Sequence, residues 1–271
     1  EYVARFKKLK ALGFNVLCIC MWYPPEVYYE AADEVGLMLW QEHPIWKSDM
    51  RDERLPEYYP QFEGFFRRDR NHASVVLVSG SCEHERFNPT LGTWWWERAR
   101  TLLPDRALQV QTAFLAWTDL SKSDLYDEHT YDSAGRWVTY LRDLQHEIAS
   151  FGVPKPFVMG EAVLYTSWPD VPALVRTAQN LNDVGRRGKW PWWFSRGFDV
   201  MIAFEAEVRE RFGSATLSRF RTQGDRYNLL GRKFQFERFR EYPNHAGLVM
   251  NHFNDVPQCR CGFIDDLDRW R

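Results

Sequence analysis

A chain of 271 residues that is 45% hydrophobic can bury one large α/β core, and the length suits a single barrel domain over 1–271 better than two ordinary domains. Thirty-five basic against 37 acidic residues give a net charge of −2 with no dense Lys/Arg block, which argues against nucleic acid as a partner. No apolar run approaches the ~18 residues that a bilayer span needs, so no membrane partner is expected either.

In chain order, EYVARFKKLKALG spaces Val3, Phe6, Leu9 and Leu12 at helical intervals and closes on Gly13. The apolar run FNVLCICMW follows as a strand, and Pro24-Pro25 then starts a second helix, PEVYYEAADEVG, ended by Gly36. LMLWQEH reads as the next strand, FEGFFRRDR as a helix and SVVLVSG as a strand. A Trp-rich helix runs up to Leu103. ALQVQTA and LYDEHTY are two further strands, the second followed by the long helix GRWVTYLRDLQHEIASFG. PFVMGEA is a strand, and AGLVMNHF is the last, reached through helical stretches at FDVMIAFEAEVRERFG and GRKFQFERFREY.

Strands alternating with helices, and apolar on both faces, imply parallel βαβ units covered by helices. Seven strands are legible. A (β/α)8 barrel needs one more, and because the chain starts on a helix, the expected absentee is the first. That start has no signal-peptide h-region; compartment stays open, secreted or periplasmic placement being compatible, and so does oligomeric state.

In such a barrel the active site lies at the C-terminal ends of the strands. The polar residues collected there are Glu42, Ser81-Cys82-Glu83, Asp127-Glu128-His129 with Tyr131, Gly160-Glu161, and Asn254-Asp255. Glu83 and Glu161 stand out, on strands four and seven once the absent first is counted, both aimed into one pocket. Retaining glycoside hydrolysis needs two carboxyl groups about 5 to 5.5 Å apart, one protonated and one ionised. Glu85 is a rival acid, but strand alternation continues to Glu83 while Glu85 lies in the loop.

The aromatic content points the same way: 13 Trp, 12 Tyr and 19 Phe make 16% of the chain, and flat rings with a polar edge suit sugar faces. Most belong to the core. The cluster Trp190 to Trp193 differs, since Gly188, Pro191 and Gly197 around it signal loop, which makes Trp192 a candidate subsite wall or lid. The five cysteines, Cys18, Cys20, Cys82, Cys259 and Cys261, have neither CxxC spacing nor nearby histidine pairs, so reduced buried thiols are expected and no metal or cofactor.

The blocks LKALGFNVL, YYEAADEVGLMLWQEHPIW, RNHASVVLVSGSCEHE, PFVMGEAVLYTSWP and AGLVMNHFNDVPQCRCGFIDD, taken in order, resemble the catalytic barrel of glycoside hydrolase family 2 and related clan-A enzymes. The nearest branches are the β-mannosidase-like and uncharacterised ones. The resemblance implies a retaining hydrolase of β-glycosidic bonds in oligo- or polysaccharides, with Glu83 as acid/base and Glu161 as nucleophile. It also implies an excerpt of a longer multidomain protein.

Three departures accompany the resemblance. Cys82 stands where an Asn usually binds the sugar 2-hydroxyl, Cys18 where an Arg orients the nucleophile, and Asn251 where a Trp platform is usual. These favour an altered substrate, the alternative being a non-catalytic carbohydrate-binding barrel. Substrate contacts are expected from Glu42 (with His43), Cys82, His129, Trp168, Trp192, Asn254 and Asp255, with Asp255 alternatively capping a turn. Tyr131 is expected to bond Glu161, His129 a sugar hydroxyl, and the charge of Glu161 to keep Glu83 protonated.

Overall fold

Helix α2 (Glu26–Val35) shows how local sequence sets element ends. It begins directly after Pro25 and stops at Gly36, whose φ of 69° is the left-handed conformation glycine adopts without cost, while Leu37 N–H closes back on Ala32 C=O at 3.0 Å. The computed structural model describes residues 1–163, 165–183, 198–256 and 259–271. These fall into two units, one of Glu1–Thr130, Arg142–Glu161 and Tyr242–Val249, the other of Tyr131–Leu141, Ala162–Glu241 and Met250–Arg271.

In the first unit, α1 (Tyr2–Ala11), α2, α3 (Leu55–Asp69) and α4 (Pro89–Leu102) alternate with β1 (Val16–Ile19), β2 (Met38–Glu42), β3 (Val75–Ser79) and β4 (Ala107–Gln109). The four strands form one parallel sheet in chain order, with Val16 beside Met38, Leu39 beside Val75 and Leu77 beside Ala107. The strands β5 (Tyr126–Thr130), β6 (Phe157–Ala162) and β7 (His245–Met250) form a second sheet. Strand starts meet strand starts, since Tyr126 N–H donates to Pro156 C=O and Phe157 N–H to Asn244 C=O, so this sheet is parallel as well. All seven strands read from the sequence are present; among the described residues the two sheets do not join into a closed ring.

Both faces of β2 are buried, as a helix-covered sheet requires: Leu39, Trp40, Gln41 and Glu42 are each at most 2% exposed. Outward, His43 sits among Phe62, Phe65, Phe66 and Trp95 of α3 and α4. Phe62, Phe66 and Trp95 are completely buried, and each such side chain contributes about 1.5–3 kcal/mol by leaving water.

Inward, a polar chain crosses from the first sheet to the second. Trp40 Nε1 donates to Ser79 Oγ at 2.7 Å, Gln109 Nε2 to Ser79 Oγ at 3.0 Å and to Asp127 Oδ2 at 3.2 Å, and Gly160 N–H to Asp127 Oδ1 at 2.8 Å. Mutual hydrogen bonding of these buried groups offsets much of the cost of a polar interior, although Gln109 Oε1 is left without a hydrogen-bond partner.

In the second unit, α6 (Val171–Asp183), α7 (Phe198–Phe212) and α8 (Ser214–Phe239) dominate, α5 (Ala134–Ser150) having bridged β5 and β6 in sequence. Val171 and Leu174 pack with Val175, Met201, Ile202 and Leu267. Two differences from the sequence reading stand here. Helix α6 was not foreseen, and α8 runs 26 residues rather than the short stretch around GRKFQFERFREY, because Tyr227, Leu229 and Leu230 on it are exposed and blur its periodicity.

Candidate active site

Glu161 is the fifth residue of β6, and Gly160 before it is there for want of a side chain. A Cβ at Gly160 would stand 2.5 Å from Asp127 Oδ1 and 3.0 Å from His129 Nε2, so only glycine lets β6 approach β5 this closely. Asp127 and His129, two apart on β5, share its inward face; Glu128 between them turns away and accepts from Leu115 N–H at 2.8 Å.

Glu83 lies past the end of β3. The chain between is held by Cys82 N–H donating to Ile45 C=O at 2.9 Å and Thr112 N–H to Ser81 C=O at 2.9 Å, and Glu83 N–H reaches Thr112 C=O at 3.3 Å. Strand pairing therefore continues to Cys82 but not to Glu83, whose φ is +45°. A left-handed glutamate costs of order 1–3 kcal/mol and persists only where its surroundings over-determine it, as here. Glu85, two residues on, is exposed.

The two glutamates converge on one imidazole. His129 Nδ1 lies 3.2 Å from Glu83 Oε1 and 3.8 Å from Glu161 Oε1, while its Nε2 lies 3.8 Å from Asp127 Oδ2. Carboxyl oxygens of Glu83 and Glu161 and the His129 nitrogen all fall within 4.8 Å of one another. Burial by itself would lower the His129 pKa, but the Glu83 hydrogen bond and the charges of Asp127, Glu161 and Glu42 outweigh it and push it up to about 9. The same hydrogen bond holds the Glu83 carboxyl below the usual carboxylate range, against its partial burial.

This revises the expected electrostatics. The group that governs Glu83 is His129, whose hydrogen bond and charge lower the Glu83 pKa, rather than repulsion from Glu161. His129 faces the two glutamates, where the sequence reading had placed it against a sugar hydroxyl.

Sulfur also approaches Glu161 Oε1. Cys20 Sγ donates to Glu161 Oε1 at 3.3 Å, Cys82 Sγ is 3.9 Å from the same oxygen, and the two sulfurs are 4.0 Å apart. The hydrogen bond with Cys82, burial, and the charges of Glu42 and Glu161 push Cys20 far above the usual thiol range, so it is a neutral donor. The thiol that donates to Glu161 is thus Cys20, just past β1, which the sequence reading gave no role; the Cys-Ile-Cys alternation, which aims Cys18 and Cys20 to one face, was the available signal.

Glu42 belongs to this interior group rather than to an open sugar-binding edge. It is 1% exposed, accepts from Thr112 Oγ1, and burial lifts its pKa to about 7 against the opposing charge of His129. His43 points the other way and pairs with Asp69 at 3.0 Å, which removes it from any substrate. Trp46, which sequence reasoning passed over, stands 47% exposed with Nε1 3.4 Å from Glu83 Oε2.

Four expected contact residues belong to the second unit. Tyr131 is 43% exposed and its hydroxyl accepts from Asn251 Nδ2 at 3.2 Å. Trp168 gives its Nε1–H to Glu205 Oε1 at 2.8 Å and packs its ring on Phe204 and Phe220, a structural use of its polar edge. Asp255 is bound bidentately by Arg271 at 2.7 Å and accepts from Gly262 N–H at 2.8 Å, so it holds a turn. Asn254 is exposed. Trp192 and the cluster around it lie outside the described residues.

No protein-family model and no curated protein sequence matches the chain. Solved structures do. A family 2 β-galacturonidase from Eisenbergiella tayi bound to galacturonate matches with a TM-score of 0.68 at 16% identity, covering 100% of this chain and 45% of that one. A β-D-glucuronidase from Dictyoglomus thermophilum matches at 0.65 and 15%, over 100% and 45%. The β-glucuronidase of Ruminococcus gnavus in complex with D-glucuronic acid matches at 0.66 and 17%, over 99% and 43%. The fold is therefore glycoside hydrolase family 2-like, and the chain spans less than half the length of these enzymes.

Proposed function

We propose that the chain carries the site of a retaining glycoside hydrolase acting on β-glycosidic bonds of oligo- or polysaccharides, on two parallel sheets that are parts of one (β/α)8 barrel. The observation that carries the reading is the approach of Glu83 and Glu161 to within 4.8 Å around His129. Retention needs carboxyl groups about 5 to 5.5 Å apart, whereas inversion needs roughly 6.5 Å or more to admit a water.

In this reading Glu161 attacks the anomeric carbon while Glu83 delivers a proton to the departing glycosidic oxygen. The proton comes from His129 Nδ1, 3.2 Å from Glu83 Oε1, and returns there when Glu83 later deprotonates the water that hydrolyses the glycosyl-enzyme. The Cys20 thiol, 3.3 Å from Glu161, donates to that carboxylate and keeps it oriented. Trp46 offers an exposed ring beside the acid for a sugar face.

A second reading, a carbohydrate-binding barrel without turnover, draws on Cys82, whose thiol is a poor substitute for an amide at the sugar 2-hydroxyl. One experiment separates the two: aryl β-glycosides and oligosaccharides are screened with the complete parent protein and its Glu83→Ala and Glu161→Ala variants, with product anomers followed by NMR. Turnover with retained configuration, lost in both variants, is expected. Equal turnover by either variant and the wild type defeats the assignment, and binding without turnover selects the second reading.

A further inference from the structure

Cys259 and Cys261 lack any spacing that would announce a metal site, yet the fold gives them a third donor. Their sulfurs are 3.0 Å apart, His252 Nδ1 is 3.2 Å from Cys261 Sγ, and all three donor atoms lie within 4.8 Å of one another. Both cysteines are buried, at 6% and 0% exposure. Val256 and Cys259 exchange N–H to C=O hydrogen bonds at 3.0 and 2.9 Å, which sets the backbone of Cys259 beside that of Val256. Arg260 between the cysteines is fastened the other way, onto Asp266 at 2.8 Å, so the two thiols share one side.

The donor set selects its ligand. Two thiols and an imidazole are soft to borderline donors that suit zinc-like ions and not magnesium or calcium, which take oxygen. Zinc binds sulfur at about 2.3 Å and histidine nitrogen at about 2.0–2.1 Å, which sets two tetrahedral sulfurs about 3.8 Å apart. The sulfurs here need move apart by less than about 1 Å to reach that geometry. At 3.0 Å they are well beyond the ~2.05 Å of a disulfide bond.

We propose that His252, Cys259 and Cys261 bind one divalent cation of the zinc class, with a fourth position left for water or an added donor. Binding converts each coordinated thiol to a thiolate and releases its proton. The ion ties His252 to the Cys259–Cys261 segment on either side of Asn254 and Asp255, and so steadies that turn. This site is independent of the glycosidase reading.

The test uses the full chain, reduced, stripped with a chelator and titrated with zinc chloride alone, with bound zinc counted by elemental mass spectrometry. About one zinc per chain is expected, lost in Cys259→Ser and Cys261→Ser and kept in the double variant Cys20→Ser with Cys82→Ser. X-ray absorption on the zinc-loaded wild type, which needs no variant to fold, should show two sulfurs near about 2.3 Å and one nitrogen near about 2.0–2.1 Å. The proposal is overturned by a wild type that takes up no zinc, by zinc lost only when Cys20 and Cys82 are replaced, or by a Cys259–Cys261 disulfide that survives reduction.

Discussion

Replacing His129 by glutamine removes a charge from the centre of the site while keeping an amide within reach of Glu83. In the wild type the imidazole lies 3.2 Å from Glu83, 3.8 Å from Glu161 and 3.8 Å from Asp127, and its pKa rises from the usual 6.5 to about 9. At about 1.4 kcal/mol per pKa unit, that rise contributes roughly 3 kcal/mol to the folded state. A raised folded pKa is a stability contribution fully present below pH 6.5 and lost as pH climbs through 9.

His129→Gln should therefore be less stable than wild type by roughly 3 kcal/mol near pH 6, with the gap closing above pH 9. Urea denaturation of both proteins between pH 6 and pH 10 reads this, and taking the difference between them removes the titration of groups that do not interact with His129. A gap that stays constant over that range would mean that His129 is not a buried cation. The variant should also lose the proton store beside Glu83, so its acid limb moves to higher pH because Glu83 no longer has a cation holding it below the usual carboxylate range.

Two further outcomes follow from the same geometry. Glu42→Gln replaces a buried carboxyl whose pKa burial has lifted from 4.5 to about 7; the favourable protonated form is lost as pH rises through 7, so the variant should gain on wild type by up to roughly 3 kcal/mol between pH 5 and pH 8, read from urea midpoints. Gly160→Ala pushes a methyl to 2.5 Å from Asp127 Oδ1, so thermal unfolding should show a loss of about 1–3 kcal/mol and turnover should fall with it; a neutral result would contradict the close β5–β6 approach.

Where sequence reasoning faltered, the reason was direction rather than identity. Glu42 and His43 are adjacent, so strand pleating sends them to opposite faces; only the packing of α3 and α4 shows that His43 is the outward one. Glu83 was preferred to Glu85 because strand alternation was expected to continue to it, but pairing stops at Cys82 and Glu83 is turned by its left-handed backbone. Trp168 and Asp255 carry groups that suit sugars, and both spend them on protein partners, Glu205 and Arg271, which lie 37 and 16 residues away in the chain. Such pairings have no local signature.

By itself the sequence determined the alternation of strand and helix and the count of seven strands, because apolar periodicity, Gly36 and Pro25 act within a few residues of themselves. The tertiary structure alone decided that His129 stands between the two carboxylates, that Cys20 faces Glu161, and that His252 meets Cys259 and Cys261. Electrostatics and coordination depend on distances of a few ångströms between groups far apart in the chain, and only the completed fold sets those distances.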